Sequence, residues 1–103
     1  MRLIIITLLF PIFSFSQSYD ILFIGNSYTY YNNLPEMLSN IANAFGDSVN
    51  YDQSTPGGTS LYAHSQNQTT LNKINQQSWD YVVLQDQSQR PSLSPTYVAA
   101  SVY

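Results

Sequence analysis

Two continuous apolar runs stand out in a chain otherwise crowded with Asn, Gln, Ser and Thr: Ile21-Leu22-Phe23-Ile24, and Tyr81-Val82-Val83-Leu84 within residues 79–85. Both are strand-length and lack the alternation of a half-exposed strand, so each predicts a strand covered on both faces, as in parallel sheets. Between them, Val49 and Tyr51 alternate with polar neighbours over 48–53, which predicts another strand. Leu34, Met37, Leu38, Ile41 and Phe45 recur at spacings of three and four, giving a helix with one apolar face. Pro35 suits its first turn and Gly46 its end. Residues 67–77, with Leu71 and Ile74 on one face, form a second helical segment, and Ser94-Pro95 opens a third over 96–103.

Strand, helix, strand, helix, strand is a βαβαβ order, which implies a parallel sheet with right-handed crossovers. In such a sheet the loops after the strands share one edge, where ligands and catalytic groups gather. Here those loops carry Gly25-Asn26-Ser27, then Gly57-Gly58 within 54–60, then 85–91. The glycine-rich middle loop can expose backbone N–H groups.

The N-terminus predicts the compartment. Met1-Arg2 is a short positive start, residues 3–13 are apolar apart from Thr7, and Ser14-Phe15-Ser16 offers small residues where signal peptidase reads. The apolar stretch is short for a membrane span, so it reads as a signal peptide, residues 1–16, cleaved after Ser16. The protein is then secreted or periplasmic, with no stable membrane anchor after cleavage. Residues 17–103 form one α/β domain without cysteine, so its small core has no disulfide to support it.

Charge narrows the function. Lys73 and Arg90 face Asp20, Glu36, Asp47, Asp52, Asp80 and Asp86, which leaves no basic patch for a nucleic acid. One histidine, no cysteine and scattered carboxylates make no metal-ligand cluster. No cofactor is expected. Tyr28, Tyr30 and Tyr31 follow Ser27 directly, and an aromatic and amide-rich bed suits neutral polyhydroxylated ligands. A small-molecule or carbohydrate-related substrate fits that surface, although the same bias can reflect the composition of an exported protein.

Strand-Gly-Asn-Ser-x-Thr, a glycine in the second loop, and a polar amide after Trp-Asp-x-Val-Val together resemble the SGNH (GDSL-like) hydrolase superfamily. The resemblance spans roughly residues 20–92 and includes Asn32-Asn33-Leu34-Pro35. It is closest to a secreted bacterial branch with Gly-Asn-Ser first and Leu-Gln-x-Gln-Ser third. It implies a flavodoxin-like three-layer α/β/α fold and ester hydrolysis, with Ser27 as nucleophile and its own N–H in the oxyanion hole. Asn26 stands where many relatives carry aspartate. Gly58, or else Gly57, matches the second oxyanion donor. The third donor in the family is an asparagine; here Gln87 or Gln85 would take its place. Tyr28, Gly57, Asn26 and His64 are the expected substrate contacts.

The family's base is the histidine of an Asp-x-x-His block near the end of a longer domain, and nothing here matches it. The single histidine, His64, lies six residues past Gly58 and either serves Ser27 as a substitute base, contacts substrate or packs. Arg90 reaches a ligand carboxylate or lies solvated in its loop; Asp86 orients a base or bonds within its loop; Asp80 is structural on the far edge. The chain is therefore expected to be the N-terminal part of such a domain, close to inactive as a hydrolase alone, with an exposed edge strand. The alternative is an exported, non-catalytic glycan-binding module.

Overall fold

The structure, a computed structural model, describes residues 2–4 and 15–90. Its order is β1 (Ser18–Ile24), α1 (Ser27–Tyr30), α2 (Leu34–Ala44), β2 (Ser48–Ser54), α3 (Leu61–Ser65), α4 (Gln68–Asn75) and β3 (Tyr81–Leu84). The strands form an open parallel sheet in the order β2-β1-β3, an α/β arrangement as the alternation predicts. Ser18 pairs with Ser48 and Ile24 with Ser54 on one side of β1; Ile21 pairs with Tyr81 and Ile24 with Leu84 on the other. All three strands therefore end level with Ile24.

The central position of β1 follows from its side chains. Ile21, Leu22, Phe23 and Ile24 are all buried, and each contributes about 1.5–3 kcal/mol of apolar burial. Successive residues face opposite sides. Leu22 and Ile24 pack with Leu61 of α3 and with Trp79, whose indole N–H donates to the Lys73 carbonyl at 2.9 Å. On the other face Phe23 meets Tyr51 edge-on, ring centroids 6.3 Å apart, a geometry that the aromatic quadrupoles favour.

Polar ties hold α4 to β2. The Ser54 and Thr70 hydroxyls lie 2.8 Å apart and buried, and Lys73 Nζ is 2.7 Å from both carboxylate oxygens of Asp52. Partial burial works against ionisation of Asp52, but the hydrogen bonds from Lys73 and the Gln53 N–H, with the lysine charge, outweigh it and hold its carboxyl below the usual range. At the opposite end of the sheet, Asp80 donates its N–H to the Asp20 carbonyl and accepts the Asp20 N–H on Oδ2. Asp80 is thus structural on the far edge, as expected.

The shorter helices depend on caps more than on apolar content. Asn67 accepts the Thr70 N–H at 3.1 Å and starts α4 among residues of poor helix propensity; Ser60 does the same for α3 by accepting the Ala63 N–H at 3.1 Å. α3 and the single turn α1 are absent from the periodicity, being too short to show one. α2 begins and ends where Pro35 and Gly46 place it, Gly46 leaving the helix at φ 86°.

Two burial expectations need correction. β3 was expected to be covered on both faces, yet all four of its residues are exposed, from 36% at Val83 to 58% at Tyr81. It pairs only with β1 and is an edge strand among the described residues. The apolar stripe of α2 is likewise largely open: Leu34, Met37, Ile41 and Phe45 are exposed, while Leu38 is half-buried. β2, the strand that α2 lies along, supplies just two apolar side chains, Val49 and Tyr51, too few to cover the stripe. The helix expected over 96–103 and most of the leader stretch lie outside the described residues. No helix among the described residues is long and apolar enough to cross a membrane.

Two outcomes test this packing. Phe23→Ala, which empties a fully buried site at the sheet's centre, is expected to cost about 3–5 kcal/mol in urea denaturation, enough to unfold most of so small a domain. The Asp52 carboxyl is depressed in the folded state, so its contribution is present above its unfolded value of 3.8 and is lost as pH falls through and below it. The pair is part-exposed and contributes about 0.5–1 kcal/mol; Asp52→Asn should lower stability by that amount at neutral pH and by nothing in strong acid.

Candidate functional site

The chain leaves β1 at Gly25 with no room to spare. A Cβ there would collide with Thr29 Oγ1 and lie 2.9 Å from Gln85 Oε1, so glycine is required for the close approach of those two side chains. The Gly25 N–H donates to the Ser54 carbonyl at 3.0 Å, continuing the ladder one step past β1. Asn26 then caps α1, its Oδ1 accepting the Tyr28 N–H at 3.1 Å, and Ser27 becomes the first residue of that turn of helix rather than part of an irregular loop.

Asn26 also draws the three strand-end loops together. Its Nδ2 donates to the Thr59 carbonyl at 3.1 Å and to the Asp86 carbonyl at 3.3 Å, and its backbone N–H donates to Gln85 Oε1 at 3.2 Å. The same Gln85 oxygen accepts the Thr29 hydroxyl at 3.0 Å. Asp86 adds a further tie: its Oδ1 accepts the N–H of Leu61, the first residue of α3, at 2.9 Å, and that of Gln87 at 2.8 Å. The convergence of the three loops expected from parallel topology is therefore made by named hydrogen bonds.

These bonds reassign three candidates. Asn26, 1% exposed, spends its side chain on Tyr28, Thr59 and Asp86, and so is scaffold rather than a substrate contact. Gln85 spends its oxygen on Asn26 and Thr29 and one N–H of its NH2 on the Asp86 carbonyl, so it ties loops together. His64, 3% exposed, has Nε2 2.6 Å from the Gly25 carbonyl and Nδ1 2.7 Å from Thr70 Oγ1; both ring nitrogens are engaged, and neither is left to bond a ligand or take the Ser27 proton. Sequence cannot separate a buried, saturated amide or imidazole from an exposed one.

Arg90 also departs from the solvated alternative. It is buried, with Nε 3.9 Å from Asp86 Oδ2. Asp86 bonds within and between loops and has no histidine beside it to orient.

Other candidates keep their polar groups available. The N–H groups of Ser27, Gly57 and Gly58 make no hydrogen bond among the described residues. Gly58 sits at φ 68°, a conformation that L side chains rarely adopt, in the loop whose Thr59 carbonyl binds Asn26. Gln87 accepts the Gln89 N–H on Oε1 at 2.8 Å, and its NH2 has no partner among the described residues. Ser27 lines a cavity of about 240 Å³ with Tyr28, Tyr31 and Asn32. Tyr28 is 68% and Tyr31 81% exposed, and Gly57, Gly58 and Gln87 lie outside that cavity's lining. No group of acidic, histidine or cysteine side chains able to hold a metal ion occurs among the described residues.

Because Asn26 joins three loops and caps α1, Asn26→Ala is expected to cost about 2–4 kcal/mol in denaturant unfolding. Asn26→Asp is expected to cost at least as much at neutral pH, since a carboxylate keeps the cap but faces the Thr59 and Asp86 carbonyls that now accept hydrogen bonds.

No family model, curated protein or solved structure matches this chain.

Proposed function

We propose that this chain carries the nucleophile and oxyanion portion of a serine ester hydrolase of SGNH type, on a flavodoxin-like three-layer α/β/α fold. The observation that carries the proposal is the presence, in two loops at one sheet edge, of Ser27 at the start of α1 and of backbone N–H groups at Ser27 and Gly58 that have no partner among the described residues. The strand order β2-β1-β3 is that of a flavodoxin-like sheet at its switch point. The substrate is an O-acyl ester, in the first instance an acetyl ester, of a small molecule or carbohydrate. Ser27 Oγ attacks the acyl carbon, the carbonyl oxygen gathers negative charge between the Ser27 and Gly58 N–H groups, and the alcohol leaves. Water then releases the acid from the Ser27 acyl-enzyme. Gln87, whose NH2 has no partner among the described residues, is the side-chain donor for the oxyanion; such a donor contributes about 100-fold to 1000-fold in rate.

The Ser27 proton needs an acceptor, and His64 is spent elsewhere. Efficient hydrolysis therefore requires a histidine that is not among these 103 residues. A second reading, a glycan-binding module, is favoured by the same engagement of His64 together with the exposed Tyr28 and Tyr31 beside the Ser27 cavity.

Export fits the contacts of Gln17. Gln17 bonds to Asp47 and Ser48 through its N–H and carbonyl, so cleavage after Ser16 leaves β1 whole and sets the new ammonium beside a carboxylate. N-terminal sequencing of the secreted protein should begin at Gln17; a retained Met1 refutes export by cleavage.

Turnover of a chromogenic acetyl ester decides between the two readings. The full-length gene product should hydrolyse it, Ser27→Ala should lower kcat by about a million-fold, and residues 17–103 alone should stay near background. Activity indifferent to Ser27→Ala, or glycan binding without turnover, rejects the esterase.

A further inference from the structure

The carbonyl of Gly25 poses a problem that the sheet does not solve. In a parallel ladder a residue that donates its N–H to one partner strand residue receives, on its own carbonyl, the N–H two residues further along that strand. Gly25 donates to Ser54, so the donor owed to its carbonyl is residue 56. That residue is Pro56, which has no N–H. The carbonyl is buried with Gly25 at the foot of the Ser27 turn, where an unsatisfied acceptor is costly.

We infer that His64 is a positioning residue that replaces the ladder donor missing at Pro56, and that it does so as a single neutral tautomer with its proton on Nε2. A carbonyl only accepts, so the 2.6 Å contact to Gly25 requires the proton on Nε2. In the neutral ring Nδ1 then accepts from the Thr70 hydroxyl at 2.7 Å, and Thr70 in turn accepts from Ser54 at 2.8 Å. The chain runs Ser54 hydroxyl to Thr70 to His64 to the Gly25 carbonyl, while the Gly25 N–H returns to the Ser54 carbonyl. It is a closed circuit that fixes the exit of β1 against the end of β2 and the start of α4.

The imidazole suits both ends of the circuit. The Gly25 carbonyl needs a donor, the Thr70 hydroxyl takes either role, and the neutral ring meets both on one rigid body. Opening the circuit frees the peptide between Gly25 and Asn26, and with it the cap that seats Ser27 and its N–H. The consequence for catalysis rests on Ser27 being the nucleophile proposed above; the latch itself is tested without turnover.

Long-range proton–nitrogen correlation of the 15N-labelled protein at neutral pH reads the tautomer directly. The expected result is a protonated Nε2 and an accepting Nδ1, unchanged in Ser27→Ala. A proton on Nδ1, or a rapidly averaging mixture, overturns the inference. Amide exchange provides the second arm. The glutamine amide nitrogen falls near the place of Nε2 and that of asparagine near Nδ1, so His64→Gln should retain protection over 25–29. His64→Asn should lose about tenfold there, while Leu22 and Phe23 stay protected. Equal behaviour of the two variants, or protection of 25–29 in His64→Asn at the wild-type level, also overturns it. Should His64→Asn fail to fold, the wild-type tautomer decides alone.

Discussion

The structure turns on one buried dipeptide, Gly25-Asn26, at the exit of β1. Its two residues reach the end of β2 through Ser54, the second loop through Thr59, the third loop through Gln85 and Asp86, and α3 through His64. Three parallel strands ending side by side would leave three polar loops, each hydrated separately. Asn26 replaces that water with fixed partners, its Nδ2 serving two carbonyls and its Oδ1 an amide. The low local dielectric makes such bonds stronger and an unmet partner more costly. The absence of a side chain at Gly25 matters as much, because Thr29 and Gln85 fill the space that a Cβ would take.

Around that knot the polar residues divide into two sets. Asn26, Gln85, Asp86 and His64 face inward with their hydrogen bonds used, and they hold the loops in place. Ser27, Gly57, Gly58 and Gln87 have N–H or hydroxyl groups without a partner among the described residues. A reactive edge needs both sets: donors aimed at a developing charge are effective only when their own positions cost nothing to maintain. The engaged histidine belongs to the holding set, which separates the geometry of the turn from its proton chemistry.

The rest of the domain is economical. Among the described residues the large buried apolar side chains are Ile21, Leu22, Phe23, Ile24 and Leu61, and α3 and α4 rely on Ser and Asn caps and on the Asp52–Lys73 pair to stay in place. A sheet three strands wide has one strand with neighbours on both sides and two edges. That width leaves β3 open and the α2 stripe without a partner layer among the described residues, although both sequences read as buried.

Local physical chemistry was enough to read the strands, their alternation with helices and the limits of α2 from the sequence, though not the short α1 and α3, because β-branched runs, apolar periodicity, Pro35 and Gly46 act over a few neighbouring positions. The convergence of the loops was legible too, since parallel strands must end at one edge. Burial was not: an apolar run states a capacity to be covered, and the number of strands and layers decides whether it is. Nor were the roles of Asn26, Gln85 and His64, whose partners lie 33, 59 or 39 positions away. A side-chain amide or imidazole can hold a loop or face a ligand with the same atoms, and only the folded chain, by bringing a carbonyl such as that of Gly25 within 2.6 Å of a ring nitrogen, selects between them.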